Sequence, residues 1–222
     1  NFANKIWNAF RLVQSWKIDE SISEQPPWSA EASGWFGNRL SEAIGEYNNA
    51  FERYRISDAL MIVYRLFWDD FSSWYLEAVK PDYGKAVDKK TYDLSIDFFD
   101  RLLRIIHPFM PFITEEIWQM MSEREAGDSI MVSRMPEPAE VSGKVLSDFD
   151  HARLLISTVR NIRKDRNLPV RSPLQLLVRK KAGSSAEPFS HVVKRLANIS
   201  SIEATASKPD IALSFMVGIS EY

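Results

Sequence analysis

Through the first two thirds of this 222-residue chain apolar residues recur with helical period, and prolines or Gly mark where each run stops. That pattern leaves little room for anything but a bundle of helices. The first run covers about 2–18, with Phe2, Ile6, Ala9, Val13 and Trp16 on one face. After Pro26-Pro27 a long run extends over about 29–54. Ser57 suits the N-cap of a third helix that reaches Lys80 and stops at Pro81. Its face of Leu60, Val63, Tyr64, Phe67, Phe71, Trp74 and Ala78 is wide enough for the middle of a bundle. A fourth helix is expected over 86–107, ending at Pro108. Pro111 then opens a fifth through Glu125, since a missing N–H costs nothing at a first helical position.

The period changes toward the C-terminus. Residues 129–133 read as extended, and a sixth helix over about 147–167 ends at Leu168-Pro169. Residues 174–179 suit a strand, 188–197 a helix, and 201–206 and 211–217 two further strands. The expected fold is mainly α: a helical bundle over 1–145, then a basic connecting helix and small α/β junction unit over 146–222. A chain of this size buries a sizeable core, consistent with 45% apolar and 12% aromatic residues.

Composition narrows the chemistry. With no Cys, disulfides, thiolate metal sites and Cys nucleophiles are excluded. No apolar run approaches a membrane span and no signal-peptide pattern opens the chain, so we expect a soluble, cytoplasmic protein. It starts at Asn1 without an initiator Met and within a helical pattern, as an excised fragment would, and we expect that fragment to be monomeric. His107, His151 and His191 have no second His at ligand spacing, and no glycine-rich phosphate loop occurs. Glu115-Glu116 lie in the first turn after Pro111, where the helix dipole explains them. We identify no catalytic, cofactor-binding or metal-binding constellation.

Charge is unevenly spread. Residues 1–150 hold 16 Lys/Arg against 25 Asp/Glu, whereas 151–222 hold 12 against 5. Such a split fits nucleic-acid contact or two parts that neutralise each other. From His151 to Lys181 nine basic residues accompany one acid, Asp165. Arg153, Arg160, Arg163, Lys164 and Arg166 there suit either contact with RNA phosphates or a solvated basic face. On the first helix Asn4, Asn8, Arg11 and Ser15 form one polar stripe. Asn amides and a planar guanidinium are groups that read unpaired bases, although Asn also caps or cross-links helices. Trp74, between Asp70 and Glu77, suits stacking on an everted base or plain core packing. The two carboxylates disfavour phosphate, so contact there would be with bases.

Three stretches carry a resemblance to a known family: NKIWNAFR at 4–11, DFSSWYLEAVKP at 70–81, and RLLRIIHPFMPFITEEIWQ at 101–119. They are similar to the tRNA anticodon-binding domain of class I aminoacyl-tRNA synthetases. Within the valine, isoleucine, leucine and methionine group the chain looks most like the valyl-tRNA synthetases, through Trp74-Tyr-Leu-Glu77 and the segment ending at Pro169. The resemblance covers most of the chain and includes 129–132 and 162–169. Isoleucine members often carry a zinc-binding Cys cluster, which a Cys-free chain lacks.

The resemblance implies binding to a valine-type tRNA, with Asn4, Lys5, Asn8, Arg11, Trp74 and Glu77 at the anticodon and the basic residues of the sixth helix on the backbone. It further implies a parent enzyme joining valine to tRNA with ATP and magnesium. The HIGH and KMSKS adenylate-binding motifs and an editing domain are absent here. A catalytic domain is therefore expected upstream and a coiled-coil arm beyond Tyr222. Competing readings are the same domain of an isoleucyl or leucyl enzyme, or a helical scaffold that binds protein and no RNA.

Overall fold

The computed structural model describes residues 2–179, 187–205, 213–218 and 220–222. The fold is mainly α with small strand pairs, and it separates into two compact units, one through Ser142 and the other Gly143–Tyr222.

In the first unit α1 spans Phe2–Gln14 and buries Ile6, Ala9, Phe10 and Val13. It ends four residues before the sequence pattern suggests, because tertiary pairing takes over. Ile18–Asp19 (β1) pairs in parallel with Val87–Asp88 (β2), and the Lys17 carbonyl accepts from Val87 N–H. Helix α2, Pro27–Glu52, opens with proline in its first turn and supplies Trp35, Phe36, Leu40, Ile44 and Tyr47 to the core. Helix α3 begins at Ile56, so Ser57 lies inside its first turn and is not the N-cap.

Helix α3, Ile56–Arg65, runs without a break through a π-helical stretch, Leu66–Tyr75, into α4, Leu76–Val79. The buried positions Val63, Phe67, Phe71, Tyr75 and Val79 explain the unusual winding, because they repeat every four residues. In an α-helix such a row drifts by about 40° per step. The wider i→i+5 winding drifts the other way and holds the row against α2 and α5. It also corrects the expected stripe. Leu60 is exposed and Tyr64 and Trp74 are half-buried, while Leu66, Tyr75 and Leu76 enter the core. Tyr75 stacks on Phe36 and Phe71 at 5.1 and 5.5 Å and shares a 2.8 Å hydrogen bond with Ser95. Burial drives its pKa up to about 12, against the opposing hydrogen bonds from Ser95 and Ser33.

Asp88 caps α5, Lys89–Ile106, by accepting from Thr91 N–H at 2.8 Å. Pro111 starts α6, Pro111–Met121. Residues 129–133, expected to be extended, form a 3₁₀ turn over Ile130–Val132 instead. Side chains satisfy its backbone where a strand would need a neighbour. Ser129 Oγ accepts from Met131 N–H, and Glu115 accepts from Ile130 N–H and Ser129 Oγ.

The second unit has helix α7, Gly143–Asp165, then a parallel pair of β3, Leu174–Arg179, and β4, Ile199–Thr205. Helix α8, Ser190–Ala197, joins the two strands. Of the last expected strand, 211–212 lie outside the described residues and 213–215 are irregular. Met216–Val217 (β5) pairs antiparallel with Ser220–Glu221 (β6).

Candidate nucleic-acid interface

Helix α1 positions its polar side chains by simple geometry. With Ile6, Ala9, Phe10 and Val13 fixed in the core, Asn4, Asn8 and Arg11 fall on the opposite face, and all three are exposed. None of their side chains bonds to another described residue. The cross-linking role open to asparagines is therefore not the one taken here. Ser15, also exposed, donates to the Leu12 carbonyl at 2.7 Å and so finishes the helix.

Lys5 lies at the edge of the same helix, and the structure gives it a partner the sequence reading missed. Its ammonium sits 5.1 Å from the Trp68 ring. Trp68 stacks on Tyr64 at 5.6 Å and 16°, and Phe2 packs on both. The signal was available: Tyr64 and Trp68 are four residues apart and share a helix face. This half-buried aromatic cluster places π surface beside the Asn8 edge of α1.

Trp74 is half-buried in the π-helical stretch. Its neighbours have structural work. Asp70 is buried and paired with Arg39 at 3.0 Å, which also pairs with Glu42. Burial opposes the charge on Arg39, but the two carboxylates outweigh it and raise its pKa. Glu77 is exposed and bridged to Lys80 at 2.7 Å, an i,i+3 pair.

In the second unit the five basic candidates, four on α7 and Arg166 just after it, part company. Arg163 is only 4% exposed, and its two terminal nitrogens donate to the carbonyls of Pro169, Ser172, Ala197 and Asn198 at 2.8–3.2 Å. It joins the end of α7 to the loop before β3 and to the end of α8, and no terminal N–H remains for a phosphate. Arg160 is exposed but holds the Leu196 carbonyl with two nitrogens at 3.2 and 2.9 Å. Arg153 is half-buried. Lys164 and Arg166 are exposed, and their side chains bond to no other described residue. Counting basic residues finds the segment but cannot separate a clamp from a free cation.

His107 and Glu115 sort as supports. His107 Nδ1 lies 2.7 Å from Thr114 Oγ1 across the α5–α6 turn. Burial works against ionised Glu115, yet hydrogen bonds from Gln119, Ser129 and Ile130 hold its pKa below the ordinary value. Among the described residues no group of His, Asp or Glu is arranged to hold a metal ion, and no helix is long and apolar enough to cross a membrane.

A family model described as the anticodon-binding domain of tRNA ligase matches residues 33–178. The chain belongs to this family. The matched stretch starts inside α2, so α1 lies ahead of it, but individual relatives align with α1 as well. The chain is 47% identical over 222 residues to a valine–tRNA ligase of Parabacteroides distasonis, covering all of this chain and 25% of that protein. It is 47% identical over 223 aligned positions to one of Porphyromonas gingivalis, with the same coverage. A valine–tRNA ligase of Thermotoga maritima is 33% identical over 211 residues, which is 94% of this chain and 24% of that protein. This anticodon-binding-domain chain thus spans about a quarter of the length of the curated relatives it matches.

Proposed function

We propose that this chain binds the anticodon stem and loop of a valine tRNA as one part of a valine–tRNA ligase. It would hold the tRNA for ATP- and magnesium-dependent aminoacylation by a catalytic domain elsewhere in the longer, cytoplasmic polypeptide. Catalysis is assigned to that domain, and none to the residues here. The isolated chain is proposed to be monomeric. Family membership and relatives named valine–tRNA ligase support this reading.

The observation that carries it is the free face of α1. Asn4, Asn8 and Arg11 offer unengaged amide and guanidinium groups in one row, with Lys5, Trp68 and Tyr64 along its edge. Such a row suits unpaired bases, which present hydrogen-bonding edges and flat faces together. Trp74 and Glu77 are kept as further anticodon candidates, through partial exposure of the indole and an exposed carboxylate. Lys164 and Arg166, with Arg153, are the proposed backbone contacts. Arg163 is not among them and Arg160 is a secondary contact, because their donors already hold carbonyls.

Fluorescence anisotropy with labelled anticodon stem-loops tests the reading. The valine-type loop is expected to bind more tightly than an otherwise identical loop with another anticodon. Asn8→Ala and Arg11→Ala should each reduce that preference by about 1–3 kcal/mol. Equal affinity for all anticodons, unchanged in both variants, would remove α1 from the recognition surface. Tight binding of a protein partner with no RNA affinity would favour the scaffold reading instead.

A further inference from the structure

One end of the first unit carries apolar surface that its own fold does not use. The α2–α3 turn and the α5–α6 turn adjoin there, since Phe109 packs on Phe51 and Tyr47 at 6.0 and 6.4 Å. Tyr54, in the first of these turns, and Phe112, at the start of α6, project into solvent, each 90% exposed. Ile56, the first residue of α3, is exposed two positions after Tyr54. Isolated exposed apolar residues are ordinary, but two bare aromatics with an exposed isoleucine at one end are not.

Tyr54 is doubly unfavourable where it stands. Arg55 N–H donates to the Ala50 carbonyl at 2.8 Å and Tyr54 N–H to the Phe51 carbonyl at 2.9 Å. These bonds close α2 with the double-bonded turn that places glycine at its left-handed position. Here that position, at φ 58°, holds a tyrosine. A β-carbon is strained there, and the ring gains no burial in return. Within this unit glycine would serve better, so the benefit of the ring lies outside it.

The chemistry of the rim identifies the kind of partner. Tyr, Phe, Met and Arg are the residues enriched at protein–protein contacts, and Arg53 and Arg55 flank the ring. A shallow groove of about 530 Å³, lined by Asn49, Ala50, Arg55, Asp58 and Ile62, lies against the turn and offers a seat for an incoming side chain. Glu46, Glu52 and Asp58 surround the same region and disfavour a phosphate backbone. The start of α1 points back toward this end, since Phe2 packs on Tyr64 and Phe67 whereas Phe10 packs on Phe99, which lies against Phe71 farther along the same helix. Tyr64, Leu60 and Ile56 are spaced four residues apart on α3. Residues preceding α1 in the longer relatives would emerge beside it.

We propose that the end face of Tyr54, Phe112 and Ile56 docks the folded body that precedes α1 in the longer polypeptide, burying both rings, with acidic groups of that body meeting Arg53. This rests on reading the chain as one part of a longer tRNA ligase.

Hydroxyl-radical footprinting of the 222-residue chain and of the full-length polypeptide tests it, with exposed Tyr83 as the internal control. Modification of Tyr54 and Phe112 should fall at least about fivefold in the full-length protein without RNA, as for side chains sealed from water at an interface. In the 222-residue chain Tyr54→Gly should raise the melting temperature by about 2–5 °C. In the full-length protein the same change should make Phe112 more reactive. Equal reactivity in the two proteins overturns the proposal. So does protection that requires added tRNA, or protection in the short chain that grows with its concentration. Valine-dependent aminoacylation by the same full-length preparation separates the two readings. Activity without protection sinks the docking surface alone, and protection without activity sinks the proposed function alone.

Discussion

Replacing Arg163 by Ala should strongly destabilise the second unit while leaving the first intact. The guanidinium makes four hydrogen bonds to backbone carbonyls, between 2.8 and 3.2 Å. Bonds from a charged donor contribute about 1.5–3 kcal/mol each, though not additively, and water can replace those at exposed Pro169 and Ser172. Ala197 is buried, so its carbonyl loses its side-chain partner without solvent compensation. The net loss is on the order of 3–5 kcal/mol, as for removal of one member of a buried charged network. A unit of this size has roughly 4–12 kcal/mol of stability in total, so a large share of it is at stake. The assay exploits the distribution of tryptophan. All seven lie between Trp7 and Trp118, in the first unit, so their fluorescence follows that unit alone. Amide exchange of β3 and β4 follows the other. The expected result is exchange in Leu174–Arg179 accelerated by about 10²–10⁴, with the tryptophan transition unmoved. Arg163→Lys should recover only part of the loss, because an ammonium lacks the planar fork. If Arg163→Ala leaves exchange at wild-type rates while weakening RNA binding, the clamp argument is wrong and the side chain does reach phosphate.

Three further outcomes follow from the geometry. Replacing Lys164 and Arg166 by Gln should weaken cognate and non-cognate RNA alike and flatten the log–log salt slope by roughly one unit for each phosphate no longer neutralised; an unchanged slope removes both residues from the backbone-binding set. Asp70→Asn should cost about 2 kcal/mol in a urea melt followed by tryptophan fluorescence, less than a wholly orphaned charge because Arg39 keeps Glu42. Tyr75 titrates near 12 when folded and near 10 when unfolded, so its contribution is intact below pH 10 and is lost as pH rises toward 12. Tyr75→Phe should therefore shrink the alkaline loss of stability by about 2–3 kcal/mol, apart from a pH-independent offset for the missing Ser95 bond, and leave the part due to Tyr47, which burial also pushes up to about 12.

The helices, their order and the free face of α1 were legible in the sequence because they rest on local rules. Pro27 and Pro111 open helices, and the spacing of Ile6, Ala9 and Val13 alone turns Asn4, Asn8 and Arg11 outward. Family likeness was legible for the same reason, since the HPFMPF segment is a linear pattern. Other features needed partners distant in sequence. α1 stops at Gln14 because Ile18 pairs with Val87, and residues 129–133 coil because Glu115 receives their donors. The π-helical winding through Leu66–Tyr75 follows from what Phe67, Phe71 and Tyr75 must face on α2 and α5, and a helical wheel assumes the very period that changes there. Charge was the least legible. Arg163 and Lys164 are neighbours of the same sign, yet one is buried among four carbonyls and the other is in water. Sequence sets where a cation lies on its helix, but only the return of β3 and the end of α8 decides whether carbonyls or solvent surround it.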